Sequence, residues 1–566
     1  MSLFGSIRIG ANSLRANDIA LQVVGQNIAN ANTPSYIREE VILNPAPTQR
    51  VGGLLLGLGV QVDAVIQKID SFLEERLRGA VSEQGEAETV EQVYAQLEGL
   101  INALADVNVG SLMTGFFNSI SEILNQPGDR SIRNLVVLQG QRLAQDIQRL
   151  ADRAQRLRNE LNERVKNMAE DINRLLEEIR VLNVRISNTE GGQVSKSDAV
   201  GLRDQRLAAL ENLARLIDIR VIEQPSSGVV VYRGGDYLVY EGTARQVQVA
   251  LEYSGGFARA DIHLSDTDAP LSPNSGQLRG LLDARDQVLG AFIDKLDQFA
   301  KTLIFEFNKV HSSGQGLNGY TRLTSQYQVV DLAAPLDDAG LPFTPVNGSF
   351  QLLVYNRRTG LTKTTEIKVN LGGLGRPTTL TSLVEAINSQ VEGVRAEINY
   401  EKKVTLRTIS AEDELAFAND TSGLLAALGL NVFFTGISAR DIAVSTEVTR
   451  DPAKFAASRG GIGADTVNAI ELSQLIDKPL ASRDGASLAV LYNWLVSEAT
   501  QGSAIAKSVA DGARVFEISL RGQKLSTSGV NLDEEAVRMI AHQRAYQAAA
   551  KYIAALAELF ELLVSL

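Results

Sequence analysis

The chain has 566 residues, more than one hydrophobic core usually serves, so about three or four domains are expected. Hydrophobic residues make up 44% and charged residues 22%, which is ordinary globular composition and argues against wholesale disorder. A net charge of -12 disfavours nucleic acid as a partner, and the absence of cysteine excludes disulfides, thiolate metal sites and a cysteine nucleophile.

The first predicted element is an amphipathic helix that begins almost at the first residue. Its apolar positions step alternately by three and four residues, which is typical of one strand of a coiled coil. Asn27, Asn30, Thr33 and Pro34 then supply a stop signal. The positions in this heptad pattern are Leu3, Ile7, Gly10, Leu14, Asn17, Leu21, Val24 and Ile28.

Long helical patterns follow in the interior of the chain. The longest runs from Leu143 to Ile186 with one stutter, and shorter ones cover residues 87–104, 282–310 and 488–516. Because these segments come from both halves of the sequence, they are predicted to meet in one helical bundle.

Two β-rich stretches interrupt the helices. Around Gly234 and Gly235, two strand-like runs form a two-residue hairpin signal, and the alternation continues to about His263. A second block at 330–450 contains two strands around a polar turn and the short helix LTSLVEAIN. Both are predicted to be insertions into the helical part.

The last predicted element is a helix that Asn531 and Glu534 begin with an N-cap signature. Met539, Gln543, Tyr546, Ala550, Ile553, Ala557, Phe560 and Val564 again step by three and four. The first and last helices therefore carry matching patterns, which favours their pairing. The alternative is that each helix packs separately on the chain's own core.

No catalytic or metal-binding constellation is found. GQGLNG at 314–319 fits a glycine-rich cofactor loop but follows a predicted helix, where a dinucleotide site needs a preceding strand. His263, His311 and His542 stand alone in different elements, so no metal pair or triad is predicted. Neither a cofactor nor an enzyme activity is expected.

Membrane insertion and a cleaved secretory signal are also not expected. No apolar run reaches the roughly 18 to 20 residues that a spanning helix needs. Arg8 lies inside the amphipathic pattern, and no small-residue cleavage site follows it. The chain is expected to stay in the cytosol or to leave it by another route.

The two ends resemble the signatures of the bacterial flagellar axial proteins, which include rod, hook and hook-associated proteins. NIANANTPSYIREE at 27–40 resembles the N-terminal signature and SGVNLDEEAVRMIAHQRAYQAAAKYI at 528–553 the C-terminal one. Ser35 departs from the glycine that is common after the proline. By resemblance, the signature residues are Asn27, Asn30, Thr33, Pro34, Tyr36, Asn531, Asp533, Glu534 and Gln543, with structural roles.

The resemblance implies a secreted structural protein of the extracellular flagellum. It would be exported by the flagellar type III apparatus without a cleaved signal peptide and assemble with itself in a ring at the hook-filament junction. Implied partners are hook protein, a second junction protein and an export chaperone at the C-terminal helix. Because narrow seams make the terminal helices marginal alone, we expect them to be disordered in the free chain and to order on assembly.

The expected fold is mainly α with β-rich inserted domains. Terminal helices at 1–45 and 530–566 would pair as a coiled coil that lines a tube, and a long-helix bundle would comprise 46–218, 275–325 and 455–529. The inserts would be a β-rich domain at 219–274 and an outer α/β domain at 330–454. The alternatives are another axial protein, such as hook protein or flagellin, or an axial protein with an enzymatic outer domain.

Overall fold

The computed structural model describes residues 3–33, 36–51, 54–102, 108–191, 198–254, 257–372 and 376–565. The protein is mainly α-helical with several small, separate sheets, which confirms the predicted fold class in outline. The α-helices are α1 (Leu3–Ala29), α2 (Ser71–Asn102), α3 (Val109–Glu122), α4 (Arg130–Glu190), α5 (Val200–Leu216), α6 (Gln277–Asp283), α7 (Gly290–Ser312), α8 (Leu380–Gln390), α9 (Leu424–Leu428), α10 (Thr446–Arg450), α11 (Val467–Gln474), α12 (Leu488–Ser528) and α13 (Leu532–Ser565).

The strands are short and pair only antiparallel where the structure describes them. They are β1 (Glu39–Pro45), β2 (Gln49–Val51), β3 (Leu54–Leu56), β4 (Val60–Gln67), β5 (Arg220–Glu223), β6 (Val229–Arg233), β7 (Asp236–Tyr240), β8 (Thr243–Ala244), β9 (Val247–Ser254), β10 (Phe257–Leu264), β11 (Arg322–Thr324), β12 (Gly348–Asn356), β13 (Thr362–Val369), β14 (Val394–Ile398), β15 (Val404–Thr408), β16 (Asp413–Ala418), β17 (Phe434–Thr435) and β18 (Ala443–Val444).

The chain divides into two compact units, each assembled from distant segments. Unit 1 comprises Met1–Val93, Asn159–Arg285 and Ala504–Leu566, and unit 2 comprises Tyr94–Arg158 and Asp286–Ser503. The four domains expected from the sequence do not subdivide these two units, because the expected long-helix bundle has segments in both, and that division stays a prediction.

The heptad pattern of α4 is confirmed, because every apolar position of the predicted seam is buried. These positions are Leu143, Ile147, Leu150, Ala154, Leu157, Leu161, Val165, Met168, Ile172, Leu175, Ile179, Leu182 and Ile186. A helix of 61 residues is therefore held by a continuous apolar stripe and not by local propensity alone.

Unit 1 contains the chain ends and the first β-rich region. β1 and β4 form a two-stranded sheet next to α1, in which Glu39 opposes Gln67. β5, β6, β7 and β8 form a four-stranded sheet, and the predicted hairpin turn at Gly234 and Gly235 joins β6 to β7, with Gly234 at φ 58°. β9 and β10 form a separate hairpin.

Unit 2 contains the second β-rich region and a cluster of aromatic rings. Two three-stranded sheets, β13-β12-β16 and β11-β15-β14, share one apolar core with α8, which is the predicted LTSLVEAIN helix. Phe116, Phe307 and Phe433 pack with ring centroids 5.3 to 5.5 Å apart. These contacts bring α3 and α7 together with the segment after α9.

GQGLNG has a packing role in unit 2. A Cβ on Gly316 would lie 2.4 Å from the carbonyl oxygen of Ala453, and Gln315 pairs through its backbone with Ser458. The glycines thus allow close approach of two backbone segments. The loop follows α7, as the sequence predicts.

Candidate functional site: the paired chain ends

The first and last helices of the chain pack against each other in unit 1 and run in opposite directions. Asn27 near the end of α1 contacts Glu535 near the start of α13, while Phe4 at the start of α1 contacts Phe560 near the end of α13. His542 meets Asn17 between these two points, with 3.1 Å between Nδ1 and Oδ1. The pairing of the ends within one chain is thus antiparallel.

The α1 face against α13 includes a glycine and an asparagine from one of the two predicted heptad rows. Gly10 and Asn17 both contact α13, and Val24 of the same row is buried. The second row, which consists of Ile7, Leu14, Leu21 and Ile28, is only half-buried. Leu3 begins the helix.

On α13 the facing residues differ in part from the predicted pattern. Ile553 and Phe560 contact α1 as the pattern requires, and Met539 is half-buried. The remaining facing and buried positions lie one residue before the predicted ones. They are His542, Ala549 and Leu556, whereas Gln543, Ala550 and Ala557 are exposed.

Gly10 sets the distance between the two helices. A Cβ added there would lie 2.6 Å from Cγ1 of Ile553 and 3.3 Å from the Tyr552 ring. By contrast, a Cβ on Gly25 of the same helix would meet nothing within 4 Å. Only at Gly10 does the pairing require the absence of a side chain.

A buried polar clamp joins the end of α1 to the start of α13. The Asn27 side chain, 1% exposed, donates from Nδ2 to Oε2 of Glu535 (3.1 Å) and to the backbone oxygen of Glu39 (3.0 Å). Its Oδ1 accepts from the Tyr36 hydroxyl (2.9 Å) and from the Glu39 backbone (2.9 Å). Both N–H groups and both oxygen lone pairs of this amide are therefore used.

Arg38 completes the clamp. Its Nε donates to Oε1 of Glu535 (2.8 Å), its Nη1 lies 3.1 Å from Oε2 of Glu534, and its backbone N–H donates to Ser528 (3.0 Å). The Arg38 and Glu535 side chains are 7% and 1% exposed. Although burial lowers it, the pKa of Arg38 is raised overall by its bonds to Glu535 and Glu534. The guanidinium is therefore held charged.

Neighbouring groups of the clamp are also perturbed. Burial, and then the charge of Glu39, raises the pKa of the Tyr36 hydroxyl, so this group stays a neutral donor. Burial raises the pKa of Glu39 and raises the pKa of Asp204 on α5 to about 7. Burial thus favours the protonated form of these two carboxyls.

The other signature residues shape the two helix ends. Asn531 caps α13, because its Oδ1 accepts from the backbone N–H groups of Asp533 (3.0 Å) and Glu534 (3.4 Å). Asn30 donates to the carbonyl of Gln26, and Thr33 donates to Asn30. Pro34 and Ser35 lie outside the described residues, and Gln543 and Asp533 are exposed.

The sequence reasoning missed Arg38 and Glu535 as individual residues, although both lie inside the quoted signatures. An arginine in a short polar segment and the third of three acids at a helix start look like solvated residues. Only the packing of the two ends reveals that these two charges are buried together.

The paired helices leave apolar side chains uncovered, and we name these residues, together with the half-buried row of α1, the outer face. On α13 they lie on two sides of the helix. Tyr546, Phe560 and Val564 are exposed beside the face that contacts α1, and Val537, Ile540, Leu559 and Leu562 are exposed on the opposite side. Exposed apolar patches mark interaction surfaces in soluble proteins.

Within the described ranges, no cluster of three or more side chains suited to metal binding occurs. None of the helices described here is both long and apolar enough to cross a bilayer.

Family models match three parts of the chain. Residues 94–323 match the flagellar hook-associated protein FlgK helical domain. Residues 7–36 match the flagella basal body rod protein model, and residues 521–566 match the C-terminal model of the flagellar basal body rod FlgEFG proteins. The two terminal matches include most of α1 and the whole of α13.

Relatives and one solved structure agree with these matches. Flagellar hook-associated protein 1 of Salmonella typhimurium is 24% identical over 98% of both chains, and that of Escherichia coli is 24% identical over 100% of both. The Bacillus subtilis protein of the same name is 25% identical over 56% of this chain and 69% of its own. The flagellar hook junction protein FlgK from Burkholderia pseudomallei has a similar fold (TM-score 0.50, 16% identity, 80% of this chain and 100% of that one).

Proposed function

Because the chain belongs to the flagellar axial proteins, in the family of flagellar hook-associated protein 1, we propose that it forms the junction between hook and filament by polymerising through its paired ends. The single observation that carries this proposal is the uncovered outer face on the paired helices. The match of residues 94–323 to a hook-associated helical domain favours this role over that of hook protein or flagellin.

The occupant of the outer face is a second copy of this chain. A heptad row that one partner leaves half-buried needs another helix to bury it. Neighbouring copies carry the same row, so stacked copies would cover one another and build a tube lined by residues 1–45 and 530–566. The long-helix segments would stiffen this tube, and the inserted domains at 219–274 and 330–454 would face outward.

The partners follow from this place in the flagellum. The copies would form a ring, contact hook protein on one side and a second junction protein on the other, and leave the cell through the type III export apparatus without a cleaved signal peptide. An export chaperone would hold the amphipathic helix from residue 532 onward before assembly. The role is structural, with neither an enzymatic reaction nor a cofactor.

We further propose that the paired ends seen in the structure represent the assembled state and that they open in the free chain. The support is the composition of the interface. Gly10, Asn17 and Ala549 bury little apolar area, so apart from Ile553, Leu556 and the Phe4–Phe560 contact the pair gains little from the hydrophobic effect. Full hydrogen-exchange protection of residues 3–29 and 535–565 in the soluble chain would contradict this opening.

The junction role is tested by charged substitutions on the outer face. Leu21→Asp and Tyr546→Asp should abolish incorporation at the hook tip, because each puts a carboxylate between copies, while the helical content of the soluble chain stays the same. Val24→Asp places the charge at a 4% exposed position in the row of α1 that contains Gly10 and Asn17, so it should disturb pairing itself. Normal junctions with both Leu21→Asp and Tyr546→Asp would refute the proposed interface.

A further inference from the structure

A cavity of about 390 Å³ lies within unit 2, between α7 and α12. Residues in the range 295–302 of α7 form one wall, residues in the range 491–498 of α12 form the other, and Arg483 also lines the cavity. This volume is in the range of small-ligand sites. The paired helices belong to unit 1, so the proposed polymerisation through the chain ends does not use this cavity.

Trp494 supplies an uncovered aromatic surface to the cavity. It is the only tryptophan of the chain, and it is 60% exposed. Phe299 and Leu495 beside it are buried, and the Phe299 ring packs against the Tyr492 ring with 5.7 Å between the centroids. The cavity therefore has a packed apolar base and an indole that faces solvent. A ligand with an apolar ring would remove this surface from water.

Arg483 supplies a guanidinium whose orientation is fixed. Its Nε donates to Oγ1 of Thr302 (2.9 Å), and Thr302 in turn donates to the backbone carbonyl of Gln298 (2.8 Å). The two terminal nitrogens, Nη1 and Nη2, have no hydrogen-bond or ion-pair partner among the residues that the structure describes. Because Arg483 is only half-buried, a molecule in the cavity can approach these two nitrogens.

The acids close to this cavity are engaged with other residues. Glu498, which lines the cavity, forms an ion pair with Lys295. Glu306, one helical turn after the part of α7 that lines the cavity, accepts from the Ser482 hydroxyl (2.6 Å). Arg483 is thus the lining cation without an acidic partner among the described residues. This unpaired charge favours an anionic ligand over a neutral or cationic one.

We propose that this cavity binds a small organic acid with an apolar ring, in its carboxylate form. The two carboxylate oxygens accept from Nη1 and Nη2 of Arg483, and the ring packs on Trp494 and Phe299. A planar carboxylate matches the two terminal nitrogens of a guanidinium. A single negative charge also costs less to desolvate in an apolar cavity than the double charge of a phosphate monoester.

Phenylacetate is the probe, and phenylacetamide, which has the same shape without the charge, is the matched control. Labelling the full-length chain with fluorotryptophan gives one fluorine resonance, because Trp494 is the only tryptophan. Phenylacetate should shift this resonance, and phenylacetamide should bind at least about tenfold more weakly, because it lacks the charge that pairs with Arg483. Acetate, which lacks the ring, should also bind at least about tenfold more weakly. Equal affinity for phenylacetate and either control, or no shift at millimolar phenylacetate, would overturn the proposal.

Substitutions assign the binding to Arg483. Arg483→Gln should weaken phenylacetate binding at least about tenfold, whereas Arg358→Gln, which removes the same charge from an exposed turn between β12 and β13, should leave it unchanged. Thr302→Val is the second variant if Arg483→Gln does not fold. It keeps the charge but removes the oxygen that orients the guanidinium, so it should weaken binding at least about threefold. Unchanged affinity in the folded variant, or equal weakening by Arg358→Gln, would overturn the proposal.

A second copy of the chain is the other candidate occupant of this cavity. The fluorine resonance of Trp494 is therefore also recorded without phenylacetate at increasing concentrations of the chain. A constant resonance supports a cavity that is open to small ligands in the soluble chain. A resonance that moves with chain concentration, and that phenylacetate then fails to shift, would assign Trp494 to an interface between copies and would overturn the proposal.

Discussion

Asn27 and Glu535 are separated by 508 positions in the sequence, and a 3.1 Å hydrogen bond joins their buried side chains. The bond places the end of the first helix against the start of the last one. Arg38, which follows α1, binds the same carboxylate. The clamp therefore contains residues from both ends of the chain, so it can form only when the C-terminal helix is present beside α1.

The clamp predicts an unequal effect of two neighbouring acids. Glu535→Gln should weaken the pairing of the ends by about 3 kcal/mol, because it leaves the buried Arg38 without its main charge partner. Glu534→Gln removes a carboxylate whose side chain is 57% exposed and should change pairing by less than about 1 kcal/mol. The measurement is far-ultraviolet circular dichroism while an osmolyte that favours burial drives the ends together.

In that titration, Glu535→Gln should raise the osmolyte concentration at the midpoint, and Glu534→Gln should leave it near that of the unmodified protein. The two variants change the same charge at adjacent positions, so net charge cannot explain a difference between them. Equal midpoints for the two variants would mean that the ion pair with Arg38 contributes nothing to pairing.

The close approach of α1 and α13 at Gly10 predicts that two glycine-to-alanine substitutions in α1 have different effects on pairing. Gly10→Ala should weaken pairing, because the new methyl group would overlap with Ile553. Gly25→Ala should strengthen helix formation by about 0.5–1 kcal/mol, because alanine has the higher helix propensity and its methyl group meets nothing. Both effects are measured in the same osmolyte titration.

A compensating substitution checks the cause. Ile553→Ala removes the atoms that the Gly10→Ala methyl group would overlap, so the double variant should pair better than Gly10→Ala alone. If Gly10→Ala pairs as well as Gly25→Ala, the helices do not approach closely at this point.

Helical periodicity predicted the long elements well, because burial of an apolar stripe controls them. All positions of the α4 seam are buried, and the hairpin at Gly234 follows from turn chemistry that is local in sequence. On α13, the spacing of apolar residues did not distinguish between two adjacent rows of positions as the row that faces α1. Leu556 buries more apolar area than Ala557, and this choice between neighbours selects the facing row.

The clamp was harder to predict from the sequence, because its stabilisation comes from pairs of residues that only the fold brings together. The signatures pointed to Asn27 and Tyr36, and both lie in the clamp. Arg38 and Glu535 carry no local pattern that separates a buried ion pair from two solvated charges.

The contact between His542 and Asn17 predicts that acid weakens the pair. Burial, and then the charge of Arg538, lowers the pKa of His542 from its ordinary value near 6.5, while Glu535 acts in the opposite direction. The paired state therefore favours the neutral ring, and its stabilisation is present above about pH 6.5 and is lost as the pH falls below it. The measurement is the midpoint of the osmolyte titration between pH 5 and 7.5.

The control for this pH dependence is His542→Gln. Glutamine can still donate to Asn17 but does not titrate, so the shift of the midpoint at low pH should become smaller. An unchanged shift in this variant would assign the acid effect to other groups.

Asp204 predicts the opposite pH dependence for unit 1. Burial, and then the charge of Glu39, raises its pKa from 3.8 to about 7, against hydrogen bonds from Ile37 and Gln67. The folded state therefore holds a proton that the unfolded state releases between about pH 4 and 7, so this contribution to stability is lost as the pH rises through that window. Asp204→Asn should flatten the loss, because asparagine stays neutral and still accepts a hydrogen bond from Gln67. The measurement is the thermal unfolding midpoint of the full chain as a function of pH. From pH 4.5 to 7.5, the midpoint of the variant should rise by about 2–4 °C relative to that of the unmodified protein. If the two midpoints instead change in parallel over that range, Asp204 titrates normally.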